Sequence, residues 1–158
     1  MRSTRFHLVT LAFALSSAFA ILGAGCASAP AGAPSADTLA NTRRAELACT
    51  LPTQCVDSLG GGSFAPLRYA GEPAQATAAL LATLATFPEA TVVRNEGLQI
   101  EVIFTTPIGF RDQVDFRIDP AARQIDYRSR SLFGLFDFGK NRSRMREFIA
   151  RFEASGPH

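Results

Sequence analysis

The densest collection of side chains able to bind a ligand lies in residues 128–146, RSRSLFGLFDFGKNRSRMR. Cations alternate there with large apolar residues, and the run contains one acid. Because two or three guanidinium groups can hold a phosphate or carboxylate by paired hydrogen bonds, the run predicts a site for an anion or a partner. We assign to this site the residues Arg111, Asp112, Arg128, Arg130, Asp137, Asn141, Arg142 and Arg144.

Two other interpretations of these residues remain open. In the first, the protein is a hydrolase or transferase that uses Asp112, Asp115 or Asp137 as acid or base, with Ser129 or Ser131 nearby. In the second, the charges form a purely structural ion network, in which each exposed pair contributes about 0–1 kcal/mol. The two interpretations differ in whether a carboxylate is free for chemistry.

Histidine is nearly absent from the chain, which contains only His7 and His158. A His/Cys zinc site therefore has too few ligands, and the glycines at 60–62 lack the Lys-Ser/Thr of a phosphate-binding loop. We expect no catalytic residue, no metal and no cofactor. The favoured function is non-enzymatic binding or scaffolding of an anionic lipid, a glycan or an envelope protein.

The amino-terminal residues resemble a bacterial export signal. Arg2 and Arg5 precede an apolar stretch that ends in small residues before Cys26. Gly23-Ala24-Gly25-Cys26 is similar to a lipobox, although Gly23 stands where leucine is usual, and ordinary cleavage after Ala20 or near Ala29 is the alternative. We expect a signal peptide at 1–25, an acylated Cys26 that anchors the chain to the membrane, a periplasmic location with the outer membrane favoured, and a flexible tether at 26–44.

The charges and the remaining cysteines fit an exported domain. Outside the signal, 14 Lys and Arg balance 14 Asp and Glu, which argues against nucleic-acid binding. With Cys26 lipidated, Cys49 and Cys55 are left to form a disulfide in an oxidising compartment. The cations are concentrated after residue 128, so the domain at 45–154 is polarised rather than basic throughout.

Apolar periodicity predicts an α+β fold. Alternating residues indicate strands, and stripes at helical spacing indicate helices that begin at Pro73 and after an N-cap at Asn141. We predict an antiparallel sheet of four to five strands with two helices packed on one face, in the order β-α-β-β-β-β-α, and a charged opposite face left uncovered. The predicted strands are 64–69, 91–94, 98–105, 113–119 and 124–130.

The run at 128–146 resembles the signature of the domain of unknown function 1499 family, roughly R-S-A-S-R-x-G-x-x-D-x-G-x-N-R-x-R. Matching positions are Arg128, Ser129, Ser131, Gly134, Asp137, Gly139, Asn141, Arg142 and Arg144. Cys49 and Cys55 with Val56 and Ser58, and the segment FRDQVDF at 110–116, are also similar to family segments. Arg130 stands where the family has a small residue. The resemblance covers residues 49–152 and implies an exported or membrane-associated protein without an established activity.

Overall fold

Residues 35–60, 62–134 and 137–156 are described in a computed structural model of the chain. The predicted signal peptide, Cys26 and the first part of the predicted tether lie outside these residues. Among the described residues, no helix combines the length and the apolar character needed to cross a membrane.

The predicted antiparallel sheet is confirmed, with six strands when two short ones are counted. Its order is β1-β6-β5-β4-β3, every pairing is antiparallel, and β2 also pairs with β6. The bounds are β1 (Cys55–Asp57), β2 (Leu67–Arg68), β3 (Ala90–Asn95), β4 (Gln99–Thr105), β5 (Arg111–Asp119) and β6 (Gln124–Ser131). Short connections between β3, β4, β5 and β6 make these neighbours antiparallel. The strand β1 was not predicted, because three residues are too few to show alternation.

Two predicted helices supply the other half of the core. They are α2 (Pro73–Leu84) and α3 (Lys140–Ala154), and their apolar stripes join the inward side chains of the strands in one buried cluster. Phe148 is central, with its ring 5.0 Å from that of Phe116 and 6.0 Å from that of Phe87. Each fully buried side chain of this size stabilises the fold by about 1.5–3 kcal/mol. The apolar pattern that predicts which side chains are buried therefore also predicts the α+β class.

A further helix, α1 (Ala36–Ala45), occupies the carboxyl-terminal part of the segment expected to be a flexible tether. Ser35 is its N-cap and accepts a hydrogen bond from the amide of Thr38 at 3.2 Å. The chain after α1 is held against the sheet, because Leu47 is completely buried and Arg44 pairs with Asp126 at 3.1 Å. The residues before Arg44 are rich in Ala, Ser, Pro and Gly, so composition indicated a tether rather than a helix.

The segment that contains α1 covers the second face of the sheet, so the expectation that this face is uncovered was wrong. Asp115 and Asp126 project from that face and are only 2% exposed. The guanidinium of Arg128 donates to the carbonyl of Glu46 at 2.9 Å, which fastens the chain after α1 over the strands. Charged residues on β5 and β6 therefore lie in a part-buried layer. The inner and outer faces are hereafter the faces toward α3 and toward α1.

Candidate functional site

The predicted disulfide is present and holds the outer-face loop in place. Cys49 and Cys55 are bonded, with their Cα atoms 5.7 Å apart. Cys55 begins β1, and just before it the carbonyl of Gln54 accepts a hydrogen bond from the amide of Ser131 at 3.1 Å. The crosslink thus fixes residues 49–55, hereafter the disulfide loop, beside the end of β6.

A buried ion pair joins the sheet to α3. Arg144 donates to Asp112 at 2.7 Å, and both residues are nearly inaccessible, at 6% and 4% exposure. The second carboxylate oxygen of Asp112 accepts from the hydroxyl of Ser131 at 2.7 Å. The guanidinium also lies 4.7 Å from the ring centre of Phe104. Buried charges need such complete pairing because desolvation is costly.

Asn141 connects this pair to the rest of the inner face. Its side-chain oxygen accepts from Ser129 at 2.6 Å and from Arg144 at 3.0 Å. Its amide nitrogen donates to the carbonyl of Gln54 at 2.9 Å and to Ser131 at 3.0 Å. All four hydrogen-bonding positions of the amide are engaged. The residues Asp112, Ser129, Ser131, Asn141 and Arg144 are hereafter the polar network.

Asn141 is not the N-cap that the sequence predicted. The helix α3 begins at Lys140, and the N-cap position is Gly139, whose φ of 77° favours glycine. The carboxylate of Asp137 supplies the cap instead, accepting from the amides of Gly139 at 3.0 Å and Asn141 at 2.7 Å. The helix dipole favours an acid at this end of α3. Because Asp137 caps the helix, the side chain of Asn141 can point into the protein.

The outer face contains a second set of predicted site residues. Arg128 lies opposite Asp115 in the register of β5 and β6 and donates to its carboxylate at 2.7 Å and 3.2 Å. Arg130 donates to Gln113 at 3.0 Å. Asp115 also accepts from Gln113 at 2.8 Å. Arg128 and Asp115 thus form an ion pair between neighbouring strands on the outer face.

The structure therefore does not bring the predicted arginines together. Side chains alternate between the two faces of a strand, so Arg128 and Arg130 lie on the outer face while Arg144 is buried on the inner one. Arg142 is exposed on α3, with its guanidinium 4.9 Å from the ring centre of Phe64. Arg111 is exposed at the start of β5. No single anion site contains all of these cations.

The three candidate catalytic acids are all engaged. Asp112 pairs with Arg144, Asp115 pairs with Arg128, and Asp137 caps α3. A general base needs a carboxylate within reach of a substrate proton, and each of these three is held by cations or amides. Among the described residues, no group of three or more His, Cys, Asp or Glu could hold a metal.

A hydrophobic cleft lies beside the polar network and was not predicted. It is formed by residues 106–110, which join β4 to β5, and by the described part of the loop between β6 and α3. Its volume is about 680 Å³, within the range of ligand sites, about 300–1,000 Å³. Asp112 and Ser131 line it, and so do the apolar residues Pro107, Ile108, Phe110, Phe133 and Phe138.

The walls of the cleft are unusually exposed for apolar side chains. Ile108 is 80% exposed, Phe133 is 78% exposed and Phe138 is 100% exposed. Phe138 also has a φ of 52°, a left-handed conformation that is rare for a bulky residue. Exposed apolar groups that cluster in this way mark an interaction surface. Two exposed cations, Arg111 and Lys140, lie on the same lining.

Comparison with known families gives one match, to the family described as "Protein of unknown function (DUF1499)", over residues 27–152. The chain belongs to the DUF1499 family. No curated protein and no solved structure matches it. The expected resemblance is thus confirmed, and the match begins earlier than the domain boundary drawn from the sequence.

Several of the residues that carry the DUF1499 resemblance form hydrogen bonds inside the fold. Ser129, Ser131, Asn141 and Arg144 belong to the polar network, and Asp137 caps α3. They hold the amino-terminal end of α3 against β6 and β5, and so they determine where the loop between them emerges. The cleft residues were missed because exposed aromatics in a loop have no period, and the only signal was the apolar content of residues 132–138.

Proposed function

We propose that this DUF1499 protein is a non-enzymatic domain that binds the surface of anionic lipid membranes through the hydrophobic cleft. Phe138 carries the proposal. Its side chain is fully exposed and its backbone is strained, so neither burial nor conformation explains an aromatic residue at this position. Strain of this kind is a reason to look for function. An aromatic residue that enters the interfacial region of a bilayer would recover its hydrophobic free energy there.

The charges around the cleft favour an anionic surface. Arg111 and Lys140 are exposed and, among the described residues, neither forms an ion pair. Asp112 is paired with Arg144, and Asp137 accepts from the amides of Gly139 and Asn141, so the two unpaired cations outnumber the one acid on the lining that has no ion pair. The field at the mouth of the cleft is therefore positive. Each cation near an anionic membrane contributes about 1 kcal/mol.

We also propose that the domain is exported and anchored by an acylated Cys26, facing the periplasm with the outer membrane favoured. The disulfide supports an oxidising compartment. An anchor near the amino terminus would keep the cleft close to lipid, so that weak binding by the cleft is sufficient. The intact mass of protein from the native membrane fraction tests this part, because acylation adds a defined mass and an unmodified mass would exclude the anchor.

The chain has no tryptophan, which allows a test that reports on residue 138 alone. We expect the full-length variant Phe138→Trp to show a blue shift in emission when vesicles of phosphatidylglycerol and phosphatidylcholine are added. The matched control is Val93→Trp, since Val93 on β3 is 51% exposed and does not line the cleft. Circular dichroism would verify that both variants fold. The control emission should not change.

The outcomes separate the apolar and the charged contributions. A blue shift that is equal with phosphatidylcholine alone would refute the role of the cations, and no shift with either vesicle would refute lipid binding by the cleft. Adding Arg111→Gln and Lys140→Gln to Phe138→Trp should weaken binding to the anionic vesicles about 30-fold, because two cations at about 1 kcal/mol each are removed. Raised salt should weaken the unsubstituted site in the same direction.

A further inference from the structure

A small polar cavity lies under the disulfide loop, apart from the hydrophobic cleft. Its volume is about 80 Å³, and it is lined by Gln54 and other residues of 48–55 together with Arg128, Arg130 and Ser131 at the end of β6. Water takes about 30 Å³ per molecule in the liquid. The volume is thus close to that of three water molecules, which is enough for one small oxyanion.

Arg130 brings an incompletely paired charge to this cavity. Its Nη2 donates to Gln113, but its Nε is buried and has no hydrogen-bond partner. Among the described residues no carboxylate lies within ion-pair distance of Arg130, whereas the neighbouring Arg128 is neutralised by Asp115. Buried donors in native proteins are almost always satisfied, and an exception calls for a missing partner.

Gln54 also lines this cavity and carries a second unsatisfied group. Its side-chain oxygen is buried without a hydrogen-bond partner. The oxygen and the nitrogen of a glutamine amide occupy equivalent positions after a half-turn, so the same side chain can offer an NH₂ donor there. In that orientation the amide of Gln54 and the Nε of Arg130 would be two donors on one small cavity next to a positive charge.

We propose that this cavity is a binding site for one small oxyanion, a phosphate or carboxylate group, held by the guanidinium of Arg130 and the amide of Gln54. The planar guanidinium suits an oxyanion because its donors are fixed in direction, and hydrogen bonds between charged groups are the stronger kind. The group can be a free ion or part of a lipid head group. The site shares only Ser131 with the cleft and does not depend on the function proposed above.

Nuclear magnetic resonance can observe this donor directly in the full-length protein. We expect the Nε–H resonance of Arg130 to shift saturably when inorganic phosphate is added. The internal control is Arg117, whose Nε is also buried without a partner but which does not line the cavity. Its resonance should not change. A second arm adds phosphatidylglycerol vesicles in phosphate-free buffer, and a shift in this arm alone would identify a head group as the source of the oxyanion.

Substitutions give an independent measurement of phosphate affinity by calorimetry. Arg130→Ala should weaken phosphate binding at least about tenfold, the effect of losing one hydrogen bond to a charged group, while Arg117→Ala should leave the affinity unchanged. Where Arg130→Ala does not fold, Arg130→Lys keeps the charge, removes the Nε donor and should weaken binding in the same direction. The proposal is overturned when neither phosphate nor vesicles shift the Arg130 resonance. It is also overturned when Arg130→Ala and Arg117→Ala weaken phosphate binding equally.

Discussion

Replacing Asp112 by alanine should destabilise the protein far more than removing any exposed acid. The carboxylate is 4% exposed and accepts from Arg144 and Ser131, both at 2.7 Å. Its removal leaves the guanidinium of Arg144, which is 6% exposed, without a counter-charge. Breaking a buried ion pair from one side costs about 3–5 kcal/mol, and the whole stability of a domain is about 5–15 kcal/mol.

The expected loss of stability arises mainly from the unpaired charge of Arg144, and a second variant tests this explanation. In Asp112→Ala with Arg144→Met, neither charge of this pair is left, and methionine can pack against the ring of Phe104, over which the guanidinium now lies. Replacing both members of a buried pair by apolar groups is often nearly neutral. We therefore expect the double variant to be more stable than Asp112→Ala alone, by about 1–3 kcal/mol, the desolvation cost of an unsatisfied buried polar group.

Urea unfolding followed by far-ultraviolet circular dichroism measures both differences. The matched control is Glu147→Ala, which removes the exposed ion pair of Glu147 with Arg151 one turn away on α3 and should cost about 0.3–0.5 kcal/mol. The reasoning fails when Asp112→Ala is no less stable than this control. It also fails when the double variant is less stable than the single one, because the arginine would then stabilise the fold without its partner.

Three further predictions concern other parts of the fold. Replacing Cys49 and Cys55 by serine should lower the free energy of unfolding by about 2 kcal/mol, measured by urea titration, and an unchanged value would mean that the crosslink does not hold β1. Burial, with smaller contributions from Asp57 and Glu153, raises the pKa of Tyr127 above its ordinary value of 10.0. The contribution of neutral Tyr127 to the free energy of unfolding is complete below pH 10 and is lost as the pH rises further. The decline of that free energy with alkaline pH should therefore be shallower in Tyr127→Phe. Phe138→Gly should raise the free energy of unfolding by up to about 1 kcal/mol, because strain is relieved and no contact is lost, and a clear loss would show that this ring packs against the protein.

The sheet could be predicted because its strands alternate strictly. Val114, Phe116 and Ile118 on β5 are buried toward the helices as the pattern indicates, and α2 and α3 follow from apolar residues at helical spacing. What the pattern could not show is the cover on the outer face. Residues 44–47 bury one large apolar side chain, Leu47, and contact the sheet through polar groups of Arg44 and Glu46, which leave no periodic signal.

The candidate site was predicted less well, because the alternation of side chains along a strand was not applied to its arginines. Arg128 and Arg130 alternate with buried residues and so belong to the outer face, while a helix packed on the apolar face turns its buried side, with Arg144, toward the inner one. Proximity in sequence therefore grouped cations that the sheet separates. The cap of α3 was predicted wrongly, because Asp137 as well as Asn141 precedes the apolar stripe, and it is Asp137 that accepts from the backbone amides.

In the proposed function, the polar network stabilises the fold and the cleft binds lipid. Asp112 follows Arg111 at the start of β5, Ser131 precedes the loop that carries Phe133, and the amide of Leu132 donates to the carbonyl of Arg111 at 3.0 Å. The buried network thus fixes the points from which both walls of the cleft emerge. The apolar side chains on those walls contribute little to folding, since they are exposed. Substitutions of Phe133 or Phe138 should therefore change lipid binding without lowering stability, whereas substitutions in the network should lower stability first and binding only through it.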